Sequence, residues 1–269
     1  MRQLILTLLI LTSLSIARND VPSCYKALHL NNPDATPQRE LFILIDQTTQ
    51  LDKPLMIYTY KNMMKFIRNG NALTIATFSS NANGKYTDVP YSGQLEALLA
   101  DDAKHEIAKK TLRKYQGCMN GQYHYAKKKA TKALVGALKG ANKTLPHSDI
   151  LKSLDDIAKH LIKPSKAKEK IVLLVSDMME HSSITTFYSH GTLKRVNTKQ
   201  EMQKVQKSGF LADFDGVEVY VIGAGMAGGK SYRDSKTLKA LTDFWKTYFA
   251  RTGAKLKAIG TPMLLEDID

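Results

Sequence analysis

Cysteine is nearly absent from this chain, with two residues in 269, Cys24 and Cys118. So few thiols exclude a thiolate zinc cluster. Acidic residues are short as well. There are 25 Asp and Glu against 39 Lys and Arg, a formal net charge of +14. A surplus of that sign points to an anionic partner: nucleic acid, a membrane surface or an acidic protein face. The denser basic runs, Lys127 to Lys129 and Lys163 to Lys170, do not interleave with aromatics in a nucleic-acid motif. The expected partner is therefore a protein with an acidic surface, and solvated helix faces are the competing reading. After the N-terminus no apolar stretch approaches the roughly 20 residues of a membrane span. Gly-x-Ser-x-Gly and His-Glu-x-x-His are both missing.

The N-terminus itself carries one apolar run. A short basic start, Met1-Arg2-Gln3, precedes Leu4 to Ala17, which ends on Ser15-Ile16-Ala17. That pattern is a secretory signal peptide, residues 1–17, with cleavage after Ala17; the alternative is an uncleaved anchor. Val21-Pro22-Ser23 before Cys24 is a poor lipoprotein box, so lipidation is not expected. The mature chain is expected to be exported, periplasmic or secreted, with no stable span. An oxidising compartment permits a Cys24–Cys118 disulfide, and two buried free thiols are the alternative.

Residues 18–40 read as an N-terminal arm and linker, with Asn and Pro concentrated from Asn31 to Pro37. Leu41 to Ile45 is continuously apolar and ends at Asp46, as expected of a strand buried on both faces in a parallel sheet. Lys53 to Arg68 has helical spacing and stops at Asn69-Gly70. Further strands are expected at Ala72 to Phe78, Lys85 to Tyr91 (a short edge strand), Ile171 to Val175, Val217 to Ile222 and Lys255 to Ile259. Helices are expected from the Ser148-Asp149 cap to about Ile162 and from Ser235 to Arg251. Ahead of both, a Lys- and Tyr-rich stretch reads as a helical insertion at about 93–140. It divides into two helices, Gly93 to Tyr115 and Gln122 to Leu138, with Cys118 in the bend. Alternating strands and helices give one α/β domain over 41–269, with a mainly parallel sheet covered on both faces. In such sheets the site lies off the carboxyl ends of the strands. Asp46 and Asp177 both sit there.

Leu41 to Gln50, with Asp46-Gln47-Thr48-Thr49-Gln50 after its strand, resembles the first strand and loop of a von Willebrand factor A domain. Val175-Ser176-Asp177 resembles that family's third loop, and Ser148-Asp149 stands where its second loop supplies a Thr. The resemblance implies a three-layer, Rossmann-like fold and a metal-ion-dependent adhesion site. Asp46, Thr48, Gln50, Ser148 and Asp177 would then gather around Mg²⁺, a hard cation that takes six oxygens and keeps several waters. Here Thr48 keeps a hydroxyl, whereas Gln50 replaces a Ser of the family pattern. Ser148 or Asp149 takes the place of the Thr. Without a metal, Asp46 and Thr48 would simply bond their own loop and cap the next helix.

Two other motifs compete. Gly223-x-Gly225-x-x-Gly228 follows a strand, as in a dinucleotide fingerprint, and Ala224 to Ser231 nearly spells a phosphate loop with Lys230 and Ser231. The expected helix does not begin within the motif, however, and no acidic residue ends the next strand. His181 and His190 flank a loop after Asp177, where they could assist a metal or a reaction. The function expected is a non-catalytic, exported ligand- or protein-binding module of a cell-envelope or secretion assembly, possible Mg²⁺ dependence included. The alternatives are an enzyme using the 223–231 loop or a metal-assisted hydrolase at Asp46, and a structural envelope protein with a dead metal site.

Overall fold

A computed structural model describes residues 18–32, 34–82, 85–142, 148–189, 192–194, 196–226, 234–260, 263–264 and 268. The expected signal segment, 1–17, lies outside the described residues.

The longest apolar runs become the centre of a sheet. Strand β1 (Arg39–Asp46) is buried from Leu41 through Asp46, and β4 (Glu169–Val175) from Ile171 through Val175. Around them lie β2 (Asn71–Ala82), β3 (Lys85–Gln94), β7 (Glu218–Ile222) and β8 (Lys255–Ile259). The strand order is β3-β2-β1-β4-β7-β8. Every pairing is parallel except β2 with β3, which forms an antiparallel edge hairpin. A two-stranded ribbon, β5 (Tyr188–Ser189) and β6 (Thr192–Leu193), stands apart.

Alternate side chains of each strand feed opposite layers. Phe42, Leu44, Val172, Leu174, Val219 and Val221 pack against α5 (Ile150–Ile157), α6 (Thr198–Ser208) and α7 (Ser235–Arg251). Leu41, Ile43, Ile45, Leu173, Val175 and Ile222 pack against α2 (Lys53–Phe66) and α4 (Lys109–Gly140). Each such fully buried aliphatic side chain contributes about 1.5–3 kcal/mol. The fold is a three-layer α/β sandwich of Rossmann-like design, as the strand and helix alternation implies.

Local chemistry sets the helix ends. The Asp52 carboxylate accepts from Leu55 N at the start of α2, and Asp234 accepts from Lys236 N and Thr237 N at the start of α7. Helix α6 ends at Gly209, whose φ of 77° is left-handed. Helix α5 passes into a π-helical turn, Ala158–Ile162.

The Lys-rich region differs from its expected two-helix form. Strand β3 continues to Gln94, a short α3 covers Asp101–His105, and α4 then runs unbroken for 32 residues. Cys118 lies inside α4 rather than in a bend. It is bonded to Cys24 of α1 (Cys24–Ala27), 94 residues earlier. Tyr25, Leu99, Tyr115 and Met119 form a small apolar cluster around that bond. The bond fixes the arm against α4. Glu96 adds to it, accepting from Cys24 N at 2.8 Å and Gln122 Nε2 at 3.0 Å.

Candidate functional site

Strand β1 delivers Asp46 to the carboxyl edge of the sheet with no solvent exposure. Its carboxylate is surrounded by hydroxyls from three separate loops. Oδ1 accepts from Thr48 N at 2.9 Å and Thr48 Oγ1 at 2.6 Å. Oδ2 accepts from Ser176 Oγ at 2.7 Å and Ser148 Oγ at 3.2 Å. Four donors match the four lone-pair directions of a carboxylate. Burial pushes the Asp46 carboxyl above its ordinary range, and the Thr48, Ser176 and Ser148 bonds pull the other way. No Lys, Arg or His among the described residues pairs with it.

Sequence reasoning brings Asp46, Thr48 and Ser148 together here, and the structure does the same. Ser176 joins them, a residue that the resemblance did not single out. Its neighbour Asp177 is half-buried; Asp177 Oδ1 accepts from Met179 N at 2.9 Å and Asp177 N donates to Thr49 Oγ1 at 3.2 Å. Gln50 lies elsewhere. It is exposed, and its Nε2 donates to Ala141 O at 3.2 Å, while Gln47 Nε2 donates to Ala137 O at 3.1 Å. Both amides therefore serve the carbonyls at the C-terminus of α4, which have no intrahelical partner.

The second and third loops are stitched together. Ser148 N donates to His181 O at 3.2 Å and His181 N to Ser148 O at 3.0 Å, a short antiparallel bridge. The His181 ring meets Thr186 Oγ1 at 2.7 Å and lies edge-on to Tyr188. His190 lies outside the described residues. Next to the bridge, Glu180 is wholly buried. Its Oε2 accepts from Leu151 N at 3.0 Å, at the start of α5, and its Oε1 has no hydrogen-bond partner. Burial raises the Glu180 carboxyl to about 8, against the Ser182 hydroxyl and the Leu151 amide. Glu180 escapes a reading of the sequence, because it looks like one more polar residue in a polar loop.

Behind the site, Met178 takes a left-handed φ of 63°. Ser176 Oγ accepts from Met178 N at 2.9 Å, and Trp245 Nε1 of α7 donates to Met178 O at 2.8 Å. The glycine loop after β7 closes the other side. Gly225 N donates to Asp177 O at 2.9 Å, and Gly223 has a φ of 87°. A side chain on Gly223 would lie 3.3 Å from Ser176 O. Within the loop Met226 N donates to Gly223 O at 3.1 Å, so the Gly225 and Met226 amides are both engaged inside the protein. Residues 227–233, with Lys230 and Ser231, lie outside the described residues, and the next helix begins only at Ser235.

No family model matches the chain, and no curated protein matches it. Among solved structures it is similar to the open conformation of the pilus adhesin SpaC from Lactobacillus rhamnosus GG, with TM-score 0.39 and 11% identity. That match covers 86% of this chain but 29% of the adhesin. It is also similar to the conserved hypothetical protein BatB from Bacteroides thetaiotaomicron, with TM-score 0.36, 11% identity, and coverage of 82% of this chain and 89% of that one. The assignment to a Rossmann-like α/β fold rests on strand order and layering, not on these values. Among the described residues no helix is long and apolar enough to cross a membrane.

Proposed function

We propose that the chain is an exported, non-catalytic protein-binding module, with a Mg²⁺-type cation held at the Asp46 corner. The observation that carries the reading is the buried Asp46 carboxylate, ringed by hydroxyls from three loops and paired with no cationic side chain among the described residues. A buried charge without a counter-ion is costly, and a bound cation offsets that cost. The donor set suits a hard ion. Thr48 and Ser148 give their protons to Asp46 and keep oxygen lone pairs for a metal. Ser176 keeps less, because its oxygen also accepts from Met178 N. Asp177 stands on the adjoining loop, where it would add charge through water, and Gln50 takes no part.

When bound, the ion supplies an open coordination position for an acidic group of a partner. The chain's own residues do the remaining work. Asp46 orients the hydroxyls, the Ser148–His181 bridge fixes the spacing of the second and third loops, and Trp245 anchors the third through Met178 O. The Cys24–Cys118 bond supports export, since such bonds persist in oxidising compartments. The expected partner is an acidic protein surface, in keeping with the net charge of +14.

Thermal unfolding with Mg²⁺ or Mn²⁺ tests the cation. A ligand that binds only the folded state raises the Tm in proportion to its saturation. A rise in the wild type that is lost in Asp46→Ala supports the reading. An unshifted wild type, or an equal shift in the variant, overturns it.

A further inference from the structure

Several lysines outside α4 are neutralised by carboxylates of the fold. Lys152 pairs with Asp149, Lys159 with Asp155, Lys194 and Lys204 with Glu201, and Lys239 with Asp243. Helix α4 offers its own cations no such partner. It carries nine Lys and Arg and no Asp or Glu in 32 residues. Among the described residues none of these cations makes an ion pair, and Lys129 finds only the ring of Tyr125. The helix spans about 48 Å at 1.5 Å per residue. Such an array repels itself unless an anion lies along it.

The same face is shaped for close approach. Arg113, Lys114, Lys128 and Lys132 are exposed along it. Between them, Gly117 and Gly121 are exposed one turn apart, with nothing within 4 Å of where a side chain would begin. Glycine inside a helix weakens it, and here no neighbour of the fold needs the space. Beside this stretch, a cavity of about 380 Å³ opens between α4 and the segment before α3. Leu98, Tyr115, Met119 and Tyr123 give it apolar walls, and Asn69 and Asn120 lie at it too. Leu98 is 56% exposed, and Tyr125 and Val135 are exposed on α4 itself.

We infer that the outer face of α4 docks an acidic polypeptide segment bearing one bulky apolar side chain. The carboxylates pair with the α4 cations, the backbone passes over Gly117 and Gly121, and the apolar side chain enters the Leu98–Met119 cavity. A single-residue cavity beside a charged stripe fits a polypeptide better than a flat lipid surface. The exposed tyrosine of α4, Tyr125, already carries the Lys129 ammonium 5.4 Å from its ring centre, so it is not a free platform of the kind on which single-stranded nucleic acid stacks. The inference rests on the protein-binding reading but not on a cation at Asp46.

The test is fluorescence anisotropy of the full chain with a labelled Glu-rich 14-residue peptide containing one central Leu, in EDTA. Working in EDTA keeps the result independent of the cation reading. Binding is expected to weaken at least tenfold in Lys128→Glu/Lys132→Glu and in Gly121→Leu, and several-fold when the peptide's Leu becomes Ser. The control Lys207→Glu/Lys246→Glu, with the same change in net charge on α6 and α7, is expected to move it less than threefold. Circular dichroism verifies that each variant is folded. Equal weakening in control and α4 variants overturns the inference, as does indifference to Gly121→Leu. So does an α4-dependent affinity for anionic phosphatidylglycerol vesicles or single-stranded DNA that exceeds the peptide's.

Discussion

Ser176 Oγ donates to Asp46 Oδ2 at 2.7 Å across the β1–β4 edge, and the same oxygen accepts from Met178 N. One hydroxyl thus ties the buried carboxylate to the strained loop beyond β4. Asp177, the residue the family pattern emphasises, instead bonds within its own loop and to Thr49. Structural support of the site therefore lies with the serine rather than with the aspartate.

This division separates the two residues experimentally. Ser176→Ala removes a donor from Asp46 and the acceptor from Met178 N, both buried. Leaving such groups unmet costs about 1–3 kcal/mol each. Urea unfolding should show Ser176→Ala clearly less stable than the wild type without added metal. Asp177→Asn, which keeps an oxygen for Met179 N, should stay within about 1 kcal/mol. The reverse ranking would place the structural role on Asp177.

The sheet was largely legible in the sequence, because a strand buried on both faces must be apolar throughout. Leu41 to Ile45 and Ile171 to Val175 state this directly, and Asp46 then marks the strand's end. Helix α7 was legible over its whole span, Ser235 to Arg251, although the Asp234 side-chain cap at its start was not. The rest depended on distant partners. Gln50 looks like a loop ligand until Ala141, 91 residues away, is seen to need a donor. Ser176 is one more hydroxyl beside an aspartate until Asp46 arrives from another strand. The continuity of α4 was hidden by Gly117, Gly121 and Asn120, which read locally as a bend. Cys24 holds the chain there, and Tyr115, Met119 and Ala126 bury its inner face.

Glu180 gives the protein a pH dependence of defined sign. An exposed glutamate releases its proton near 4.5, whereas Glu180 holds it to about 8. Below 4.5 folded and unfolded chains are both protonated there, and the contribution to stability is fully present. From 4.5 towards 8 only the folded chain retains the proton, so stability falls as pH rises, by up to about 1.4 kcal/mol per unit. Glu180→Gln should remove this slope, with a larger advantage over wild type at pH 8 than at pH 5. The comparison is read from urea midpoints at both values. Taking the difference between the two proteins cancels the contributions of Asp46 and other buried carboxyls. An equal effect of the substitution at the two pH values would refute the assignment.

The Cys24–Cys118 bond closes a loop of 94 residues. Cross-links of this span stabilise by about 2–5 kcal/mol, chiefly by restricting the unfolded chain. Reduction, or Cys24→Ser with Cys118→Ser, should lower the Tm by several degrees at neutral pH. The arm should nonetheless stay docked. Asp20 N donates to Ser92 O at 2.8 Å, and Glu96 still accepts from Cys24 N. Proteolysis of the reduced protein should leave residues 18–32 protected at low protease. Rapid cleavage there would show that the bond alone holds the arm.

Trp245 is the chain's one tryptophan, and its indole donates to the carbonyl of Met178. Its emission therefore reports on the loop that carries Ser176 and Asp177, without any label. The ring is buried against Phe187, Phe244 and Tyr248, so movement of solvent elsewhere scarcely reaches it. If a cation at Asp46 draws on the Ser176 or Asp177 oxygens, Met178 must adjust, and the indole bond with it. Titration with Mg²⁺ should change the intensity or wavelength of Trp245 emission saturably, with the same midpoint as the thermal shift. Asp46→Ala should abolish both. Trp245→Phe should cost about 1–3 kcal/mol by leaving the Met178 carbonyl unpaired, while retaining the Mg²⁺-dependent rise in Tm. A wild type whose Tm rises with Mg²⁺ while Trp245 emission stays flat would place the cation away from this loop.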